Sequence, residues 1–367
     1  MKVLSKARSA SWWLVHHVIP VVLVRCYLAL AVIGKVKDRP LRGWLNSRPE
    51  ERVWEGSVEA DGRGRATLLR LKNAMIYRDY GGVIAEDRRL LIDASPWFAG
   101  VGWAGQTALT DLRIPVDRFD GRIVGVLCGR SAYNYYHWLM EILPKIEVIS
   151  KNASAKNGVA PDAYLIPKGT SFEQETLRFL GISDDYLIGI SGSETVQVGT
   201  ALVATLPGRL TTPSHLAVNF LRSAFRPAMS TVKPWRRLYV TRSDAGGRRV
   251  INEDRVLAEL QYLGFELVSL TGWTVEQQVR HFSEAEIVVG PHGAGMTNTA
   301  FMQNGSKGLL EFMPVTYKVP CFETICALAD LPYICIVSSS LGGPEHDMDV
   351  DASEVRAAVL SALNNDE

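Results

Sequence analysis

Residues Phe265–Asn298 read FELVSLTGWTVEQQVRHFSEAEIVVGPHGAGMTN, and their pattern decides the fold. Phe265–Leu270 is a short apolar strand. Thr274, with Gln277 three residues on, has the spacing of a reciprocal capping box and opens a helix that ends near Ala285. Glu286–Gly290 is the next strand, and small residues lead from it into a short helix, Met296–Met302. Working outward, Leu238–Thr241 is a strand, and Asn252 is placed to cap a helix that runs to Leu263, where Gly264 stops it. Beyond the quoted stretch come a strand Leu309–Phe312, a helix near Phe322–Ala329 and a strand Tyr333–Val337. A last helix, opened by Asp351 with Glu354, reaches about Leu363. Strands alternating with helices at this spacing mean a parallel sheet wound on both faces, a Rossmann-like fold.

The first half is less regular. Val53–Val58, Thr67–Tyr77, Val83–Ala85 and Arg89–Ile92 are short runs broken by glycine turns, which predict an antiparallel β decoration ahead of the main fold. A strand Ile123–Leu127, a helix from about Tyr133 to Ser150, a strand Ala163–Ile166 and a helix Phe172–Leu180 follow. Apolar runs Tyr186–Ile190 and Val196–Leu206 complete an α/β unit, with a helix Pro213–Phe225 after it. Arg226–Pro234 reads as a linker. A chain of 367 residues is long for one core. The expected division is 1–50 for an apolar and basic leading segment, 51–228 and 229–340 for two α/β domains, and 341–367 for a closing linker and helix.

Forty Lys plus Arg against thirty-nine Asp plus Glu leave no global basic field, so nucleic acid is not the expected partner. The five cysteines are scattered and odd in number, with no C-x-x-C pair, which argues against zinc and against a disulfide framework. Apolar neighbours suggest buried thiols in a reducing, cytoplasmic compartment. Near the N-terminus Lys2, Lys6 and Arg8 precede an apolar stretch, Trp12–Ile33, interrupted by His16, His17, Pro20 and Arg25. It has two main readings, a helix lying peripherally in the inner membrane face, residues 12–33 making the contact, or a first helix packed on the protein's own core; a true span comes third, since Arg25 opposes insertion.

In such sheets ligands bind beyond the carboxyl ends of the strands. The loop Thr241–Arg249 carries Arg242 and Arg249 around Gly246-Gly247, and rigid guanidinium forks there suit a diphosphate; a solvated basic loop is the other reading. Gly290–Asn298 places His292, Gly293, Ala294, Gly295 and Asn298 before a helix start, where free N–H groups favour an anion. The alternative is a tight turn whose His caps a helix. No Walker lysine accompanies it, so an NTPase is not indicated. Glu311, at the end of an apolar strand, needs hydrogen-bond donors: a ribose diol or a core arginine would supply them. His137 and Glu141, four residues apart on a helix, pair a titratable ring with a carboxylate, a general-base arrangement, or else a structural pair among aromatics. Asp347, Asp349 and Asp351 form a D-x-D-x-D run in a polar linker. It reads as a solvated turn, so no metal and no cofactor is assigned.

The run Asn134–Pro144 (NYYHWLMEILP), then Arg242 through Asn252-Glu253, Gly264–Glu266, Glu276–Gln278, His292–Asn298 and Glu311 resembles glycosyltransferase family 61. The resemblance covers roughly Gly125 to Pro314. It implies a GT-B fold, two Rossmann-like domains facing across a cleft, with an inverting, metal-independent transfer. On that reading the partners are a nucleotide diphosphate sugar and a glycan or lipid-linked acceptor, in cell-surface polysaccharide (capsule) synthesis. Arg242, Arg249, Glu253, His292–Gly295, Asn298 and Glu311 would hold the donor. His137 would be the base, with Glu141 orienting or replacing it. Two rivals stay open: a sugar-nucleotide epimerase of the same architecture, and a non-catalytic member of a membrane assembly that binds nucleotide-sugar or glycan.

Overall fold

The structure, a computed structural model, describes residues 37–39, 52–55, 66–87, 89–91, 94–95, 116–153, 158–169, 171–206, 211–340 and 345–364. Two sheets organise it. The first contains β1 (Lys37–Arg39), β2 (Arg52–Glu55), β3 (Thr67–Lys72), β4 (Met75–Tyr77), β5 (Gly82–Ile84), β6 (Arg89–Leu91), β7 (Val116–Val126), β8 (Ala163–Pro167), β9 (Leu187–Ile190) and β10 (Thr195–Ala204). β10, β7, β8 and β9 are neighbours in that order and parallel. β3 and β4 pair antiparallel with successive parts of β10. The early strands expected as a decoration are therefore members of the main sheet. The long strand β10 offers an edge that two short strands share in tandem, and the run Thr67–Tyr77 divides at Asn73, whose backbone turns left-handed (φ 50) and donates to the Gly199 carbonyl.

The second sheet holds β11 (Arg236–Val240), β12 (Phe265–Val268), β13 (Ala285–Pro291), β14 (Gly308–Pro314), β15 (Tyr333–Ser340) and β16 (Met348–Asp349), ordered β12-β11-β13-β14-β15-β16. Every pairing is parallel except that of β16. The helices are α1 (Lys145–Ala153), α2 (Ser171–Phe179), α3 (His215–Ala224), α4 (Glu253–Gln261), α5 (Val275–Ser283), α6 (Cys321–Leu328) and α7 (Ala352–Asn364). Period-two alternation assigns the two faces. Tyr239, Ile287 and Val289 pack with Val256 and Leu260 of α4 and with Val355 and Val359 of α7. Leu238, Val240 and Val288 point the other way, toward Val279 of α5 and Phe322 of α6. That second cluster continues without a break into Phe225, Leu177 and Trp138 of the first half. The sheet is thus wound on both faces as expected, and one apolar core joins it to the first.

Local signals behave unevenly. The Thr274–Gln277 capping box forms in both directions. The Asp351 carboxylate accepts the Ser353 and Glu354 amides and caps α7. Asn252 precedes α4 but does not cap it; its side-chain amide exchanges two hydrogen bonds with the backbone of Val350 instead. The expected helix Tyr133–Ser150 is broken. An α-turn Tyr135–His137 runs into a wide π-helical turn Trp138–Ile142, and α1 starts only after Pro144, which has no amide to donate. The expected linker is tied down: Ala228 is buried, and the Ser230 amide donates to the Ser283 hydroxyl of α5. Cys128, Cys321 and Cys326 are buried thiols, but Cys335 is exposed. Among the described residues no helix is long and apolar enough to cross a membrane. Residues 12–33 lie outside the described residues.

Gly308 starts β14 with φ +79, and a Cβ there would collide with the Pro332 carbonyl. Gly308→Ala is expected to cost about 1–3 kcal/mol of stability through the strained backbone. A urea titration with an unchanged midpoint would show that β14 can shift to accept it.

Candidate active site

The β12-β11-β13 order places a topological switch point between β11 and β13, the position where doubly wound sheets bind ligands. A cavity of about 240 Å³ opens there. Thr241, Arg242 and Asp244 reach it from the loop after β11, Leu270 and Thr271 from the loop after β12, and Gly293 and Gly295 from the loop after β13. Arg242 is half-buried. Its Nε and Nη2 donate to the Gly247 carbonyl at 3.2 and 3.1 Å, and it makes no ion pair among the described residues. Burial, then the nearby Arg248, lowers its pKa to about 10. A guanidinium in this state is stabilised by an anion. Gly293 makes room for it, since a Cβ at that position would overlap Arg242 Nη1.

Asp244, also on the cavity wall, accepts hydrogen bonds from the Ser269 hydroxyl (2.9 Å) and the Thr271 hydroxyl, which hold its carboxyl below the usual range. Sequence reasoning missed this residue. The signal that exposes it is long-range, because its hydroxyl partners lie beyond the next strand. Arg248 lays its guanidinium over the Tyr317 ring, 5.0 Å from the centroid.

Several residues expected to hold a ligand have partners within the protein. Arg249 is exposed and grips Asp347 through Nη2 (2.7 Å), Nε (3.1 Å) and its own backbone amide (2.9 Å), tying the loop after β11 to the segment before β16. Arg248, not Arg249, is the second cation felt by Arg242, beside the carboxylates of Asp244 and Asp347. Glu253 accepts the Tyr239 and Thr241 hydroxyls and braces the base of the loop. Glu311 is fully buried: His292 Nδ1 lies 2.5 Å from one oxygen and the Tyr333 hydroxyl donates to the other at 2.7 Å. Its partners among the described residues are a histidine and a tyrosine, and no arginine is among them. His292 is itself buried, with its ring against Phe322 and Tyr317. Ala294 and Asn298 belong to the 3₁₀ segment Ala294–Phe301 behind the cavity.

Asn298 joins this site to the first half. Its amide nitrogen donates to Gln278 Oε1 (2.8 Å) and the Gly295 carbonyl (3.0 Å), and its oxygen accepts the Tyr135 hydroxyl at 2.7 Å. Tyr135 opens the turn whose next residues carry the predicted base. Asn134 caps that turn by accepting the Tyr136 and His137 amides. His137 Nδ1 is 2.9 Å from Glu141 Oε2, and both side chains are nearly buried. The other Glu141 oxygen accepts the Thr211 amide at 2.8 Å, so the carboxylate is fixed from two sides. Lys145, four residues on, is also buried. It donates to the Cys128 carbonyl at 3.0 Å, and desolvation lowers its pKa to about 8.

Comparison with known proteins now bears on this geometry. Residues 135–309 match the family model described as Glycosyltransferase 61. A beta-1,2-xylosyltransferase of Arabidopsis thaliana is 27% identical over 215 residues, covering 49% of this chain and 39% of the relative. This stretch is a glycosyltransferase family 61 sequence. It opens on Tyr135, the residue that bonds Asn298, and closes as β14 begins. The family 61 stretch therefore contains the Arg242 cavity, the Asn298 joint and the His137–Glu141 pair. Glu311 falls just outside it. Because the match spans well under half of the relative's length, the relative's printed activity belongs to that protein.

If Glu311 is the anchor of His292 and Tyr333, its removal is costly wherever a ligand sits. Glu311→Ala is expected to lose about 3–5 kcal/mol of stability, as for one partner of a buried pair. Unchanged stability with lost nucleotide binding would instead return Glu311 to the ribose.

Proposed function

We propose that the chain is an inverting glycosyltransferase moving a sugar from a nucleotide diphosphate donor to a glycan or lipid-linked acceptor, with a GT-B arrangement of two α/β units. One observation carries the proposal: a half-buried arginine that makes no ion pair among the described residues, Arg242, on the wall of a cavity at the switch point of a parallel sheet. Arg242 would take the diphosphate, with Arg248 adding charge and the Gly293–Gly295 backbone approaching closely. Asp244 would accept the ribose hydroxyls, since it already accepts two hydroxyl donors. The leaving diphosphate needs no metal in this reading, because the arginines neutralise it; Asp347 holds Arg249 and Asp351 caps α7.

On the other side, Glu141 fixes the His137 ring through Nδ1, the orientation by a carboxylate that a general base calls for. His137 would take the acceptor hydroxyl's proton while that oxygen attacks the anomeric carbon and the diphosphate leaves from the opposite face. Fixation of Glu141 by the Thr211 amide supports an orienting role for the carboxylate. Membrane contact through residues 12–33 and a role in capsule synthesis extend the same proposal.

Isothermal titration with UDP tests the donor side. Arg242→Ala is expected to weaken binding by ~1.5–3 kcal/mol, the range for a hydrogen bond to a charged group, while Arg249→Ala leaves it near wild type. The opposite ranking would move the diphosphate to Arg249.

Turnover tests the base. His137→Ala is expected to lower kcat by about 10²–10⁴-fold with UDP affinity intact, the usual worth of a general base. A folded His137→Ala enzyme with wild-type kcat would remove His137 from the mechanism. Product analysis of the same reactions separates transfer to an acceptor from release of an isomerised sugar nucleotide.

A further inference from the structure

A second cavity, of about 380 Å³, lies in the first half, and all of its lining residues but Pro167 precede the family 61 stretch. It opens where β7 and β8 end. Arg130 and Tyr133 line it from the loop after β7, Pro167 closes β8 on its wall, and Arg78, Asp79 and Tyr80 reach it from the β4–β5 turn. It stands at the carboxyl ends of parallel strands, as the Arg242 cavity does in the other sheet. Its chemistry differs. Two tyrosine rings, two guanidinium groups and one carboxylate surround it, where the Arg242 cavity has one arginine and one carboxylate and no aromatic ring on its wall.

The walls are built, not incidental. Arg78 and Ser131 both hold left-handed backbones, φ 57 and 62, which non-glycine residues adopt only where the surroundings impose them. At Arg78 the amide donates to the Glu194 carbonyl at 3.0 Å, and the guanidinium is steered by the Tyr77 hydroxyl at 2.7 Å. At Ser131 the carbonyl accepts the Asn134 amide at 2.8 Å, so the same turn that shapes the cavity also sets the cap of the His137 turn. Tyr133, two residues after Ser131, is 63% exposed. A large ring held out to solvent on a pinned backbone presents an aromatic face at little entropic cost.

We propose that this cavity binds the acceptor glycan. Pyranose rings offer C–H faces to aromatic side chains and adjacent hydroxyl pairs to planar, two-pronged groups such as guanidinium and carboxylate, and Tyr133, Arg130 and Asp79 combine the two. The placement also connects the cavity to the reaction. Two residues beyond Tyr133, the Tyr135 hydroxyl bonds Asn298, and the loop before Asn298 lines the donor cavity through Gly293 and Gly295. One short segment, Tyr133–His137, thus carries an acceptor contact, the joint to the donor sheet and the base. This assignment rests on the transferase reading proposed above.

The test uses the full chain on an array of short neutral and uronate-bearing oligosaccharides, with Tyr133→Ala, Tyr133→Phe and Arg130→Ala beside it, and a UDP titration of each. Wild type is expected to capture at least one glycan. Tyr133→Ala is expected to weaken that capture about tenfold, the scale of an aromatic contact, and Arg130→Ala to weaken it as well. Tyr133→Phe keeps the ring and stays near wild type, while UDP affinity is the same in all four proteins. Capture of no glycan, or equal capture by wild type and Tyr133→Ala, overturns the subsite. Tyr133-dependent capture by a wild-type chain that binds no UDP supports the subsite and overturns the donor reading, so the two failures are distinct.

Discussion

A fully buried side-chain amide must find its hydrogen bonds inside the protein, and Asn298 finds its own on both sides of the molecule. Gln278 and Gly295 hold it within the second sheet's loops, and Tyr135 reaches it from the first half. Breaking the last of these would strand a buried acceptor, at a cost of about 1–3 kcal/mol. The joint therefore fixes more than an orientation. It sets where the His137 turn stands relative to the glycine loop, and so where any base in the first half stands relative to any anion bound in the second.

Around that joint the polar groups sort by depth. Those that line cavities, Arg242 and Asp244, face solvent on one side and are steered by neighbours on the other. Of those that lie behind, Glu311 and His292 have exchanged solvent for each other, and Glu253 is held by the Tyr239 and Thr241 hydroxyls. Charged residues in a glycine-rich loop region thus do two kinds of work. An inner set fixes the loop's shape, and an outer set is left to meet a ligand.

The parallel sheet, its helices and the capping box on Thr274 were legible in the sequence because each depends on residues a few positions apart. The His137–Glu141 contact was legible for the same reason, being one helical turn. What was not legible is partner choice across the fold. Arg249 and Asp347 are 98 residues apart, as are Asn252 and Val350; spacing showed neither pairing, and for Asn252 the distant partner replaced the expected cap. Glu311 illustrates the limit most clearly: its strand position showed that it needed donors, but only the sheet order brings Tyr333 of β15 beside it. The early strands were misread as an attachment because pairing with β10 depends on a strand more than a hundred residues later.

The wide turn at Trp138–Ile142, closed by Leu143 donating to the Trp138 carbonyl, amounts to one extra residue threaded into an otherwise ordinary coil. Each residue of an α-helix advances about 100° around the axis, so the insertion offsets everything downstream by that angle. Upstream of it, Tyr135 faces the second sheet; downstream, Lys145 faces the Cys128 carbonyl of the first. A single short segment looks in both directions because its two ends are out of phase. Shortening the chain by one residue here would be invisible in composition and nearly invisible in length, yet it would turn one end away from its partner.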